Sequence, residues 1–136
     1  IPRILLLEED IALADAIVGV LENSGFEVRL ATDWLYALLL ALSFEPNLVI
    51  LDTSLLGVSS SKVTHALQTS YSAASDLRIV PFLYITERTH ILTQRFTYHP
   101  ALPTAEYVFK PIDPELLLEQ VRRNLSKNET ETETDS

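Results

Sequence analysis

Pro46-Asn-Leu-Val-Ile-Leu-Asp52 is the stretch that decides the fold. Leu48 to Leu51 are apolar without interruption, so there is no alternation between a wet face and a dry one. That is the pattern of a strand covered on both sides. Ile4-Leu5-Leu6-Leu7 repeats it and ends in Glu8-Glu9-Asp10, just as the first run ends in Asp52. Phe26 to Leu30, Ile79 to Ile85 and Glu106 to Phe109 complete five strands, the last two stopping at Thr86 and Lys110-Pro111. Between them lie helical spacings. Ile11 to Ser24 carries Leu13, Ala16, Ile17, Val20 and Leu21 before the stop at Gly25, and Asp33 to Phe44 opens on a candidate N-cap and breaks at Glu45-Pro46. A third helix is expected over Ser60 to Ala74 and a short or irregular one from Thr89, interrupted by Pro100 and Pro103. A last helix opens at Asp113-Pro114 and runs through Leu116, Leu117, Val121 and Leu125. Buried strands alternating with helices predict an α/β fold with a doubly wound, five-stranded parallel sheet, because parallel neighbours need crossover helices and these cover both faces.

The remainder of the chain sets limits. At 136 residues and 15.3 kDa it has room for one domain, expected over 1–126. Residues 127–136 alternate Glu and Thr with no apolar side chain and are expected to form a solvated, disordered acidic tail or linker. The net charge of −9 has the wrong sign for neutralising a phosphate backbone, so no nucleic acid contact is expected. Without cysteine there are no disulfides, thiolate metal sites or thiol nucleophiles. The longest nearly apolar run, Trp34 to Phe44, falls well short of the roughly 18 residues that cross a bilayer, and the first residues lack the basic region, apolar core and cleavage site of a signal peptide. A cytoplasmic protein without membrane contact is the expectation. With Gly19, Gly25 and Gly57 as the only glycines, no phosphate-cradling loop exists for nucleotide or flavin.

In a doubly wound sheet the site lies at the carboxyl ends of the strands. Those ends carry Glu8 and Glu9, Asp52, Thr86 and Lys110. Three carboxylates repel one another unless a cation joins them, and an oxygen-only set suits a hard divalent ion, Mg2+ or in its place Mn2+. Lys110 can orient a carboxylate and neutralise a phosphoryl group, the Thr86 hydroxyl can donate to a phosphoryl oxygen, and an aspartate can accept phosphate. Any one of these residues is ordinary at a strand end; the set at four strand ends is not. His65, His90 and His99 share no metal-ligand spacing and are read as surface or cap residues, as are Ser59, Ser60 and Ser61.

Arg3-Ile-Leu-Leu-Leu-Glu-Glu-Asp10, Pro46 to Asp52, Ile85-Thr86 and Tyr107-Val-Phe-Lys110-Pro111, in that order over Arg3 to Leu125, resemble the receiver domains of two-component response regulators. The resemblance implies a flavodoxin-like (βα)5 receiver fold. It also implies that Asp52 is the phosphoacceptor, Glu8 and Glu9 the acid pair, and the Ser54 backbone carbonyl a further magnesium ligand. Thr86 would be the switch hydroxyl, Tyr107 the aromatic switch residue and Lys110 the lysine that meets the phosphoryl group. The 43-residue step from Glu9 to Asp52 is close to the family spacing. The implied partner is a sensor histidine kinase or histidine phosphotransfer protein, whose phosphohistidine supplies the phosphoryl group. The implied chemistry is transfer to the chain's own Asp52 and slow autodephosphorylation rather than turnover, with Ser54 and Arg88 beside the path of attacking water.

Several positions depart from the family pattern. Glu9 is one methylene longer than the usual Asp, Glu87 puts a charge after the switch threonine, and Leu55 to Ser61 lacks the usual Pro and second Gly. These departures favour an alternative, a degenerate receiver that works as a phosphorylation-independent interaction module. A haloacid-dehalogenase-like phosphatase is disfavoured because Asp52-Thr53-Ser54 lacks an acid two residues on. Finally, Leu35, Leu39 and Leu42 form a second apolar stripe on the second helix, and Ile11 and Val18 extend the apolar surface of the first. The stripe predicts a covered surface, against a homodimer partner or a missing output domain.

Overall fold

The structure is a computed structural model and describes residues 1–54, 80–87 and 106–135. Within them run β1 (Arg3–Leu7), α1 (Ile11–Asn23), β2 (Glu27–Ala31), α2 (Trp34–Phe44), β3 (Leu48–Asp52), β4 (Phe82–Thr86), β5 (Glu106–Phe109) and α3 (Pro114–Asp135). The helices expected over Ser60 to Ala74 and from Thr89 lie outside the described residues. The five strands form one sheet in the order β2-β1-β3-β4-β5, every neighbouring pair parallel. The order reverses beside β1, so the crevice for a site opens between the carboxyl ends of β1 and β3.

Alternation along the central strands divides the core in two. Leu5, Leu7, Val49, Leu51, Phe82 and Tyr84 face one side, where Ala37 and Ala41 of α2 pack on them. Ile4, Leu6, Leu48, Ile50, Leu83 and Ile85 face the other, under Ala14, Ile17 and Leu21 of α1 and Leu117 and Val121 of α3. Small residues let α2 sit close to the sheet, and the interior of β1, β3 and β4 has no access to solvent.

Each helix starts where an aspartate can satisfy its first amides. Asp10 accepts from Leu13 N, Asp33 from Tyr36 N at 2.8 Å, and Asp113 from Glu115 N at 2.9 Å ahead of Pro114. Gly25 ends α1 at φ 93°, in the left-handed region where a side chain is costly. Glu45 ends α2 in the same region at φ 51° without that freedom, and the Arg3 guanidinium holds its carbonyl through Nε at 3.1 Å and Nη2 at 2.9 Å. Some boundaries differ from the sequence expectation: β2 starts at Glu27 rather than Phe26, and β4 starts at Phe82 and includes Thr86. The tail expected to be disordered from 127 continues the backbone of α3 to Asp135. A helix closes its own hydrogen bonds without a buried face, and no Pro or Gly follows Pro114 to stop it.

Candidate functional site

Glu8, Asp52 and Lys110 follow Ile4, Leu6, Ile50 and Val108 in the two-residue period of their strands, which carries all three to the α1–α3 side at the carboxyl edge. Thr53 and Thr86 follow Leu51 and Tyr84 onto the α2 side. The edge therefore has a charged half and a hydroxyl half.

On the charged half, Asp52 is 1% exposed and its two oxygens are held differently. Oδ1 accepts from the Ser54 amide at 2.8 Å and the Ser54 hydroxyl at 2.7 Å. Oδ2 meets Lys110 Nζ at 2.7 Å. Burial alone would raise the Asp52 pKa, but hydrogen bonds from Glu8, Lys110 and Ser54 outweigh it and hold the carboxyl below its ordinary value. Glu8, also 1% exposed, takes the opposite course. Burial, the hydrogen bond it shares with Asp52 and the charge of Asp52 push Glu8 up to about 8, against the Asp10 amide and the charge of Lys110. Lys110 would be lowered by burial, yet its hydrogen bond to Asp52 and the charges of Asp52, Glu8 and Glu87 raise it. The shifts favour charge on Asp52 and Lys110 and the proton on Glu8.

Of the expected metal set, the structure brings Glu8 and Asp52 together and leaves Glu9 on the exposed surface. No group of three acids or histidines close enough to hold a metal occurs among the described residues. Glu8 Oε1 is buried and receives no hydrogen bond among the described residues. An acceptor so placed is satisfied by a proton or by a cation. Two buried carboxyls with only oxygen donors fit a hard divalent ion. Ser54 touches the site through its amide and hydroxyl, and Glu87 is exposed although its charge reaches Lys110. Arg88, the three histidines and Ser59 to Ser61 lie outside the described residues.

On the hydroxyl half, Thr86 is buried at the end of β4, and Tyr107 is half-buried in β5 with its ring 5.6 Å from that of Tyr84. The residue that sequence reasoning passed over is Thr53. It is buried, and its hydroxyl donates to Thr86 Oγ1 at 2.8 Å. The available signal was the register: a polar residue directly after a fully buried strand, one step beyond Asp52, falls beside the residue after Ile85.

No family model matches the chain. Among curated proteins it is similar to the DNA-binding response regulator MtrA of Mycolicibacterium smegmatis, with 30% identity over 129 residues, 95% of this chain and 53% of that protein. It is also similar to the DNA-binding dual master transcriptional regulator RpaA of Synechocystis, 29% identical over 94% of this chain and 51% of that protein. The chain thus spans about half the length of these relatives. Among solved structures, the receiver domain of a response regulator from Bermanella marisrubri superposes with a TM-score of 0.72 at 26% identity, covering 90% of this chain and 97% of that one. A response regulator from Chloroflexus aurantiacus gives 0.73 at 25% identity, covering 93% and 99%.

Proposed function

The chain is a receiver domain of the response regulator family, and from that premise we propose that it takes a phosphoryl group from a phosphohistidine onto Asp52. The observation that supports this reading is the state of Asp52: buried, ionised and held at both oxygens by Ser54 and Lys110. A carboxylate fixed in that way needs little reorganisation to attack phosphorus. An Asp52 oxygen forms the O–P bond as the N–P bond to the donor imidazole breaks, and the departing nitrogen takes the bonding electron pair. Lys110 stays within reach to neutralise charge on the phosphoryl oxygens, and Thr86 supplies a hydroxyl donor from the neighbouring strand. Glu8 and Asp52 would hold Mg2+, whose positive charge stabilises the transferring group. Glu8 must give up its proton to do so.

The partner in this reading is a sensor histidine kinase or a histidine phosphotransfer protein. Self-association through the α2 stripe accompanies it, because Leu35, Leu39 and Leu42 are 61%, 60% and 48% exposed. We place the receiver proper at 1–126 and give the acidic end of α3 the role of a linker. No described helix is long and apolar enough to cross a membrane, which fits a domain working in the cytoplasm.

Incubation with acetyl phosphate and Mg2+ tests the proposal through the chemistry of the product. An acyl phosphate at Asp52 is released by hydroxylamine, so a hydroxylamine-sensitive label is expected; a hydroxylamine-resistant label, or none, contradicts it. One observation favours the second reading, a phosphorylation-independent interaction module: Glu9 stands exposed, apart from Glu8 and Asp52. Under that reading neither acetyl phosphate nor the phosphoryl mimic beryllofluoride modifies or binds the domain.

A further inference from the structure

β3 and β4 lie in register with Asp52 opposite Ile85, and the ladder runs one residue further, where the Thr53 amide donates to the Ile85 carbonyl at 2.9 Å. The next pair across the two strands is Thr53 and Thr86, 7% and 1% exposed. Thr53 Oγ1 donates to Thr86 Oγ1 at 2.8 Å, and Thr86 Oγ1 donates its own proton to the Glu87 carbonyl at 3.3 Å. A threonine hydroxyl has a single proton to give. For Thr86 to serve an oxygen bound to Asp52, it must take that proton from Glu87. Any displacement toward the charged half of the edge then takes from the buried Thr53 hydroxyl the acceptor it holds here, which is unfavourable.

We propose that Thr53 is a positioning residue, a hydroxyl latch that holds the Thr86 side chain in its unphosphorylated arrangement and sets how readily the domain adopts the phosphorylated one. The latch rests on the reading of Asp52 as phosphoacceptor. It is a property of this chain's pairing of hydroxyls across β3 and β4: an apolar residue at 53 would leave Thr86 free of it.

The test compares Thr53→Val, which keeps the shape and removes the hydroxyl, with Thr53→Ser, which keeps the hydroxyl, by titrating each with beryllofluoride in the presence of Mg2+. Losing one neutral hydrogen bond from the resting state only is expected to tighten binding about three- to tenfold in Thr53→Val, with Thr53→Ser close to the unsubstituted protein. Thr53→Ala is a second variant with the same expected direction. In a Thr86→Ala background the gain from Thr53→Val is expected to vanish, which a general effect of residue 53 on packing would not produce. A readout without metal or phosphoryl mimic accompanies these. In denaturant, the midpoint shifts of Thr53→Val and Thr86→Ala are expected to be non-additive. Equal binding by Thr53→Val and the unsubstituted protein, an undiminished gain in the Thr86→Ala background, or additive midpoints overturns the latch while leaving the phosphoacceptor reading in place. If the unsubstituted protein binds no beryllofluoride, both fall.

Discussion

Two carboxyls in one buried corner resist ionising together, and Glu8 and Asp52 divide the burden unequally. Lys110 and Ser54 favour charge on Asp52, while burial leaves the proton on Glu8. This has a pH signature. Folded Glu8 keeps a proton that the unfolded chain loses above about 4.5, so this group lowers stability as pH rises from there toward about 8, where the folded carboxyl also ionises. Asp52, lowered by folding, has the opposite sign, and its stabilising contribution is lost as pH falls through its folded value. Metal-free protein unfolded in urea at pH 5 and pH 8 is therefore expected to be less stable at pH 8, and Glu8→Gln is expected to flatten the difference. An unchanged slope in Glu8→Gln contradicts the assignment. Lys110→Ala removes the cation from Asp52 and is expected to slow phosphorylation by acetyl phosphate by on the order of a hundredfold, the scale of losing one preorganised electrostatic group. At this scale the placement of Asp52, Thr86 and Lys110 at strand ends was readable from the sequence. Thr53 was not, because its role depends on which residue of another strand lies beside it, and register is a long-range property.

Strands and helices were legible because their signals are local. Asp33, Gly25, Asp113 and Pro114 each act through the backbone within a few residues, and each stands where the sequence places a helix end. Asp33→Ala removes the cap on Tyr36 N and is expected to destabilise the domain by about 1 kcal/mol, measured by chemical denaturation. Ala41, 1% exposed between α2 and the sheet, marks where close packing was demanded. Ala41→Leu overfills that space and is expected to cost about 1–3 kcal/mol in the same assay. At the end of α3 the sequence speaks only to packing: absence of a buried face argues against tertiary contact, whereas a helix backbone satisfies itself. Glu9 illustrates the converse limit. Its neighbour Glu8 shares its chemistry, but alternation along β1 turns Glu8 into the core corner and leaves Glu9 outside.

For the molecule as a whole, the parallel sheet and the two-sided core followed from short apolar runs that carry no alternation, since only a sheet covered on both faces buries them, whereas such runs say nothing of the strand order. The exposed stripe of α2 was legible too, from the excess of leucine over what one helix face can bury. Self-association through it is expected to give a mass that rises with concentration in light scattering, and Leu39→Glu is expected to return the protein to a monomer. A mass independent of concentration contradicts that surface assignment. The curated relatives are about twice as long as this chain, and the proposed phosphoryl chemistry is placed at the carboxyl edge of the part they share. That chemistry is tested most directly by intact mass after incubation with acetyl phosphate, with and without Mg2+, beside an Asp52→Asn control. The expected result is a magnesium-dependent gain of one phosphoryl group that is absent from Asp52→Asn. No gain, or the same gain in Asp52→Asn, contradicts the assignment of Asp52 as the phosphoacceptor.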